Sequence, residues 1–157
     1  MPIQFSRTLM QRSRCSYEEQ LSLFPLIETC VSMITICRNY GTLALEEMIW
    51  HSSSMSLHHR LPHDQYQTLQ FILQHVLDGR DPKVIQELGL LYISKRKKGK
   101  SLLQDMIILE SAICFVYRNS VYDTRFFLHR LLDDPLNHPD NAARMWMNKK
   151  REVPMEG

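Results

Sequence analysis

The stretch Val76-Leu77-Asp78-Gly79-Arg80-Asp81-Pro82-Lys83-Val84-Ile85 places an Asp-Gly pair just ahead of an Asp-Pro pair. Between alternating β-branched runs, an Asp-Gly pair would mark a hairpin. Here both flanks carry a different period. Apolar residues fall at Leu69, Ile72, Leu73, Val76 and Leu77 upstream, and at Val84, Ile85, Leu88, Leu91 and Tyr92 downstream, the spacing of a helix with one buried face. Asp78-Gly79 therefore reads as a helix stop, and Asp81 as the cap of a new helix. Pro82 fits the first helical position, where its missing N–H is harmless and its fixed φ suits the helix.

Working outward, the upstream helix starts near Asp64, which reads as its N-cap. The run from His51 to His63 carries four serines, four histidines and Pro62 without a period, and reads as a loop. Before it, Thr42 to Trp50 is rich in helix formers, and Gly41 stands as a break or a close-packing point, so a bent helix and two short ones both fit. Ser16-Tyr17-Glu18-Glu19 is a capping box that opens a helix. Its stripe of Leu23, Leu26, Ile27, Cys30, Val31, Ile34 and Cys37 carries it to about Tyr40.

Downstream, Lys95-Arg96-Lys97-Lys98-Gly99-Lys100 separates the Pro82 helix from an apolar run, Leu102 to Tyr117, with Gly99 breaking or softening the junction. Tyr122 to Leu132 is amphipathic, and Asp134-Pro135 with His138-Pro139 ends the compact part. No stretch alternates with a period of two, and no repeat recurs. The expected fold is an all-α compact bundle of about five or six helices. Its parts are a flexible N-terminal arm (1–15), the helical domain (16–133) and a C-terminal tail (134–157) compatible with a short helix around Ala142 to Lys149.

At 157 residues the chain suits one domain. Such a domain buries roughly 68–70% of its extended surface, enough for a core without disulfides or metal. Apolar content of 44%, charged content of 23% and a net charge of +2 are ordinary for globular proteins and point to neither nucleic acid nor a membrane. Cys15, Cys30, Cys37 and Cys114 show no CxxC spacing and read as reduced, mostly buried thiols of a cytoplasmic protein. The basic N-terminus lacks the apolar region of a signal peptide. Leu21 to Cys37 and Leu102 to Tyr117 both fall short of the roughly 18–20 uncharged apolar residues that span a bilayer, and core helices explain them better.

Candidate chemistry is sparse. His59 and His63 would share a helix face as metal ligands do, with His58 beside them, but Leu61-Pro62 opposes a helix and no cysteine or carboxylate completes a set. The cysteines sit on apolar stripes where thiols are inert, the pairs Glu46-Glu47 and Asp133-Asp134 need not converge, and no nucleotide-binding or zinc-protease motif is present. A catalytic role, a metal and a cofactor are therefore not expected. The block Lys95, Arg96, Lys97, Lys98 and Lys100 suits peripheral contact with anionic headgroups, and equally a solvated helix face. Arg38 and Glu46, on a continuous helix, would lie about 12 Å apart along the axis and about 80° apart around it, so that both could face one partner. Ordinary surface charges would look the same.

Arg38-Asn39-Tyr40-Gly41-Thr42-Leu43-Ala44-Leu45-Glu46-Glu47 resembles the "R-x-x-G-x-L-A-L-E" segment in the cytoplasmic domain of the flagellar motor stator family of MotA (MotA/TolQ/ExbB). Leu69 to Ile85, with Asp78, Gly79, Asp81 and Pro82, resembles the "L-x-x-x-V-D-G-x-D-P-x-x-I" segment of the same domain. The resemblance covers about residues 20 to 100. It implies that Arg38 and Glu46 contact a rotor switch protein, FliG-like, through charges of opposite sign, and that Gly41, Leu43, Ala44, Leu45, Asp78, Gly79, Asp81 and Pro82 are structural, shaping the bend, the core face and the helix cap. The linker from His51 to His63 is longer than is usual in that family. The family's membrane helices have no counterpart here, so the implied protein is a stator-domain relative that modulates motility without conducting ions. An unrelated helical adaptor is the alternative.

Overall fold

The structure is a computed structural model that describes residues 3–50, 62–94 and 98–132. Among these residues every regular element is a helix and no strand occurs: α1 (Arg7–Arg12), α2 (Tyr17–Leu21), α3 (Phe24–Tyr40), α4 (Thr42–Trp50), α5 (His63–Leu77), α6 (Pro82–Ser94), α7 (Gly99–Val116) and α8 (Val121–Arg130). Six are nine residues or longer, which is the all-α bundle expected from the periodicity, with α1 and α2 as short additions. The proposed short helix in the tail, the Asp133-Asp134 pair, His58 and His59 lie outside the described residues.

The α5–α6 joint forms as its residues dictate. Gly79 adopts φ +72°, and its N–H donates to the Val76 carbonyl at 3.1 Å while the Arg80 N–H donates to the His75 carbonyl at 3.2 Å. This paired return of the chain needs a left-handed residue, which glycine supplies without a Cβ penalty. The Asp81 carboxylate then accepts the Lys83 N–H at 2.8 Å, and Pro82 begins α6.

Two expected boundaries move. α5 starts at His63 behind Pro62, so Asp64 lies inside the first turn instead of capping it; a carboxylate there still meets the positive end of the helix dipole. The Ser16 capping box is present, with Ser16 Oγ accepting the Glu19 N–H at 3.1 Å, yet its helix stops at Leu21. Pro25 is the cause. It has no N–H for the Leu21 carbonyl, so a tight turn at Ser22-Leu23 intervenes before α3.

α7 is the centre. Every residue from Leu102 to Cys114 is buried, and α3, α5, α6 and α8 all pack against it. A helix buried all round must satisfy its polar side chains internally. The Thr68 hydroxyl of α5 donates to Asp105 at 2.8 Å, and Glu110 accepts a backbone N–H from Ile3. The N-terminal arm, expected to be flexible, is thus tied down: Ile3 and Leu9 join the core, and α1 forms between its caps Ser6 and Ser13. Its sequence lacks a long stripe, so the signal that it packs is only the isolated Ile3, Phe5, Leu9 and Met10.

With α2, the stretch Tyr17–Tyr40 has the length and composition to cross a membrane, which the shorter window Leu21 to Cys37 lacked. Core helices pass the same test, and half of its most apolar window lies inside the bundle. On α3's outer side Glu28 pairs with Arg125 of α8 through two contacts of 3.1 Å.

Two substitutions test this packing. A Cβ on Gly89 would fall on Leu109 Cδ1 and lie 3.1 Å from Cδ2, and Leu109 is fully enclosed, so it has no free space to yield. Overpacking of this kind costs about 1–3 kcal/mol, more than the helix propensity gained from alanine. Gly89→Ala should therefore lower stability by about 1 kcal/mol in urea unfolding. At the end of α7, Arg118 sits at φ +58° in the same paired turn that Gly79 makes elsewhere, with the Asn119 N–H on the Cys114 carbonyl at 3.0 Å. Relief of that left-handed backbone should make Arg118→Gly more stable by about 0.5–1 kcal/mol in the same measurement.

Candidate functional site

Between α3 and α4 the chain turns a corner at Gly41. The Gly41 N–H closes α3 on the Cys37 carbonyl at 2.7 Å, and its own carbonyl accepts the Ala44 N–H at 3.2 Å to open α4. Its backbone, φ +84° and ψ −175°, belongs to a region that only glycine occupies freely. The two helices are therefore separate, and the continuous-helix spacing expected for Arg38 and Glu46 does not apply. Cys37 and Leu45, both buried, pin the two sides of the corner to the core.

That anchoring decides what faces outward. Leu45 points in, and a residue two positions away on a helix lies about 200° around it, so Leu43 must point out. Glu46 and Glu47 follow Leu43 at the three- and four-residue spacings of one face. The structure agrees: Leu43 is 75% exposed, Tyr40 on the other side of the glycine is 74% exposed, and Arg38, Glu46 and Glu47 are exposed. Neither Arg38 nor Glu46 forms an ion pair with another described residue, in contrast to Glu28 and Arg125. The corner presents a cation on α3, two carboxylates on α4, and an aromatic and an aliphatic side chain between them. Sequence reading singled out the charges, passed over Tyr40 and gave Leu43 a structural part beside Leu45; the structure corrects the latter, because the two-residue offset from the buried Leu45 turns Leu43 outward.

The other candidates separate. Asp78, Gly79, Asp81 and Pro82 form the α5–α6 joint and hold helix ends. His63 is exposed at the start of α5, and among the described residues no three His, Cys, Asp or Glu side chains group as metal ligands would. Of the basic block, Lys95, Arg96 and Lys97 lie outside the described residues, while Lys98 is exposed and Lys100 partly so at the start of α7.

All four cysteines are free, and Cys30, Cys37 and Cys114 are buried. Burial pushes each of these thiols up to about 11, with the Glu110 charge adding to the effect at Cys114. Such groups stay protonated near neutrality and make poor nucleophiles. The arrangement offers no support for covalent chemistry at these thiols; what it does offer is a projecting surface of mixed chemistry.

Gly41→Ala tests whether the corner's angle matters independently of its charges. An alanine there meets no neighbour within 4 Å, so its cost is backbone strain alone, about 1–3 kcal/mol. The expected outcome is a chain that unfolds at lower urea concentration with the Arg38 and Glu46 side chains both retained. Compared with known proteins, the chain matches no family model, no curated protein and no solved structure.

Proposed function

We propose that this chain is a non-catalytic, non-conducting protein-binding module of the flagellar motor, docking through the α3–α4 corner to a rotor switch protein of FliG type or to a stator component. In this reading it acts in the cytoplasm, peripheral to the inner membrane beside the motor, and modulates motility. The observation that carries it is the exposure of Tyr40 and Leu43 together with Arg38 and Glu46 around one glycine corner. Large apolar side chains held in water beside opposite charges that pair with no other described residue suit a protein interface, where the apolar centre supplies contact area and the rim charges set association rate and register. The likeness of Arg38–Glu47 and of Leu69–Ile85 to two ordered segments of the stator family's cytoplasmic domain supports the choice of partner.

The same corner would serve an adaptor outside the motor, so the experiment must name its ligand. Purified chain is titrated against purified rotor switch protein at low and at physiological salt, and swimming is scored in flagellated cells expressing the same variants. Arg38→Glu and Glu46→Lys should each slow association about tenfold at low salt, less at physiological salt, and reduce or enhance spreading in soft agar. Wild-type binding and wild-type swimming in both variants would remove the proposal. Binding of neither wild type nor variants to motor proteins would leave the corner to an unrelated partner.

A further inference from the structure

Two basic stretches, far apart in sequence, meet where α6 gives way to α7. Arg12 Nη1 donates to the Ser94 carbonyl, the last residue of α6, at 2.7 Å across 82 positions of sequence. Gly99, at φ +63°, lets the start of α7 pass so close to the N-terminal segment that a Cβ there would lie 3.7 Å from the Arg14 carbonyl. Cys15 feels the same neighbourhood: burial and the Glu19 charge push its thiol up to about 11, while Lys100 opposes them. Arg12, Arg14 and Lys98 are exposed and Lys100 is half-buried. The acids on the adjoining α2 are Glu18 and Glu19, the latter accepting the Ser16 N–H at 3.1 Å, so these named charges stand at four positive against two negative. Cations gathered in this way repel one another, and an anionic surface that neutralises them relieves the repulsion.

We infer that this end of the bundle is a docking surface for anionic phospholipid headgroups, built jointly by Arg12 and Arg14 of the N-terminal segment and by Lys98 and Lys100 at the start of α7. From the sequence, the basic block around Gly99 was equally a solvated face; the two arginines are what the tertiary structure adds to it. Exposed apolar side chains flank the cations. Leu91, one turn before Ser94, is 57% exposed, and Tyr17, three residues after Arg14, is 39% exposed. An aliphatic side chain gains nothing from a phosphate backbone in water, whereas at the headgroup boundary both side chains find apolar contact beside the charges. Nucleic acid fits less well for a second reason: α1 and α2, of six and five residues, offer no helix long enough to lie in a groove. The surface uses none of the residues of the Gly41 corner and needs no protein partner, so it stands or falls separately from the motor reading, whose peripheral placement it would serve.

Vesicle sedimentation with the purified full chain tests it, using phosphatidylcholine vesicles with and without phosphatidylglycerol. Binding should require phosphatidylglycerol and weaken as salt rises. Arg14→Gln and Lys98→Gln, both at exposed positions that leave the core untouched, should each weaken it about fivefold, the factor that one basic residue near an anionic surface contributes. Arg80→Gln, at the opposite end of α6, should bind as the wild type does. Binding that ignores phosphatidylglycerol overturns the inference, and so does a loss in only one of Arg14→Gln and Lys98→Gln, because the surface is then not built jointly. Equal losses in all three variants would reduce the effect to net charge, and tighter binding to a duplex oligonucleotide than to the vesicles would assign the cations to nucleic acid; either result overturns it as well.

Discussion

The burial of α7 on every side is the constraint from which the architecture follows. A helix whose residues from Leu102 to Cys114 all leave water must be surrounded, and α3, α5, α6 and α8 surround it. The same burial forces Asp105 and Glu110 to find partners inside the protein, because a buried polar group without a hydrogen bond costs more than the bond itself contributes. Thr68 answers the first and the backbone of Ile3 the second. The N-terminal segment is therefore drawn onto the bundle by a polar requirement of its central helix as well as by its own few apolar residues.

Around that centre, the chain reverses at left-handed residues. Gly79 and Arg118 end α5 and α7 with the same paired hydrogen bonds, and Gly99 at φ +63° opens α7. Gly41 differs from them. Its extended left-handed geometry sets α4 off from α3 at a corner whose inner side is fixed by Cys37 and Leu45. Fixing the inner side leaves Tyr40, Leu43, Arg38 and Glu46 projecting outward, and the proposed docking role rests on that consequence of core packing.

Where a local rule acts alone, the sequence was a sufficient guide. Helical period, the Ser16 capping box and the Asp78–Pro82 joint involve residues within a turn of each other, so they read correctly without knowledge of the rest. Of the stripe Leu69, Ile72, Leu73, Val76 and Leu77 the first three are buried and the last two half-buried, while on α6 the period held but the face shifted, with Ile85, Gly89 and Ile93 inside and Val84 and Leu91 exposed. Failures came where neighbouring rules competed. A single apolar stripe across Ser16 to Tyr40 concealed the interruption that Pro25 imposes on the backbone ladder. Asp64 looked like a cap, but the helix began two residues earlier than that cap implies, at His63 behind Pro62.

Of the candidate site, the sequence by itself determined that Arg38 and Glu46 flank a glycine, while it gave Leu43 and Leu45 the same structural part, which a two-residue offset on a helix does not allow. Which leucine turned inward, the separation of α3 from α4, and the exposure of Tyr40 were decided by tertiary structure, since they depend on how α4 seats against the rest of the bundle. The attachment of Ile3 to Glu110 belongs to the same class. A contact across 107 residues leaves no trace in any local pattern, and only the closing of the bundle brings a backbone N–H to that buried carboxylate.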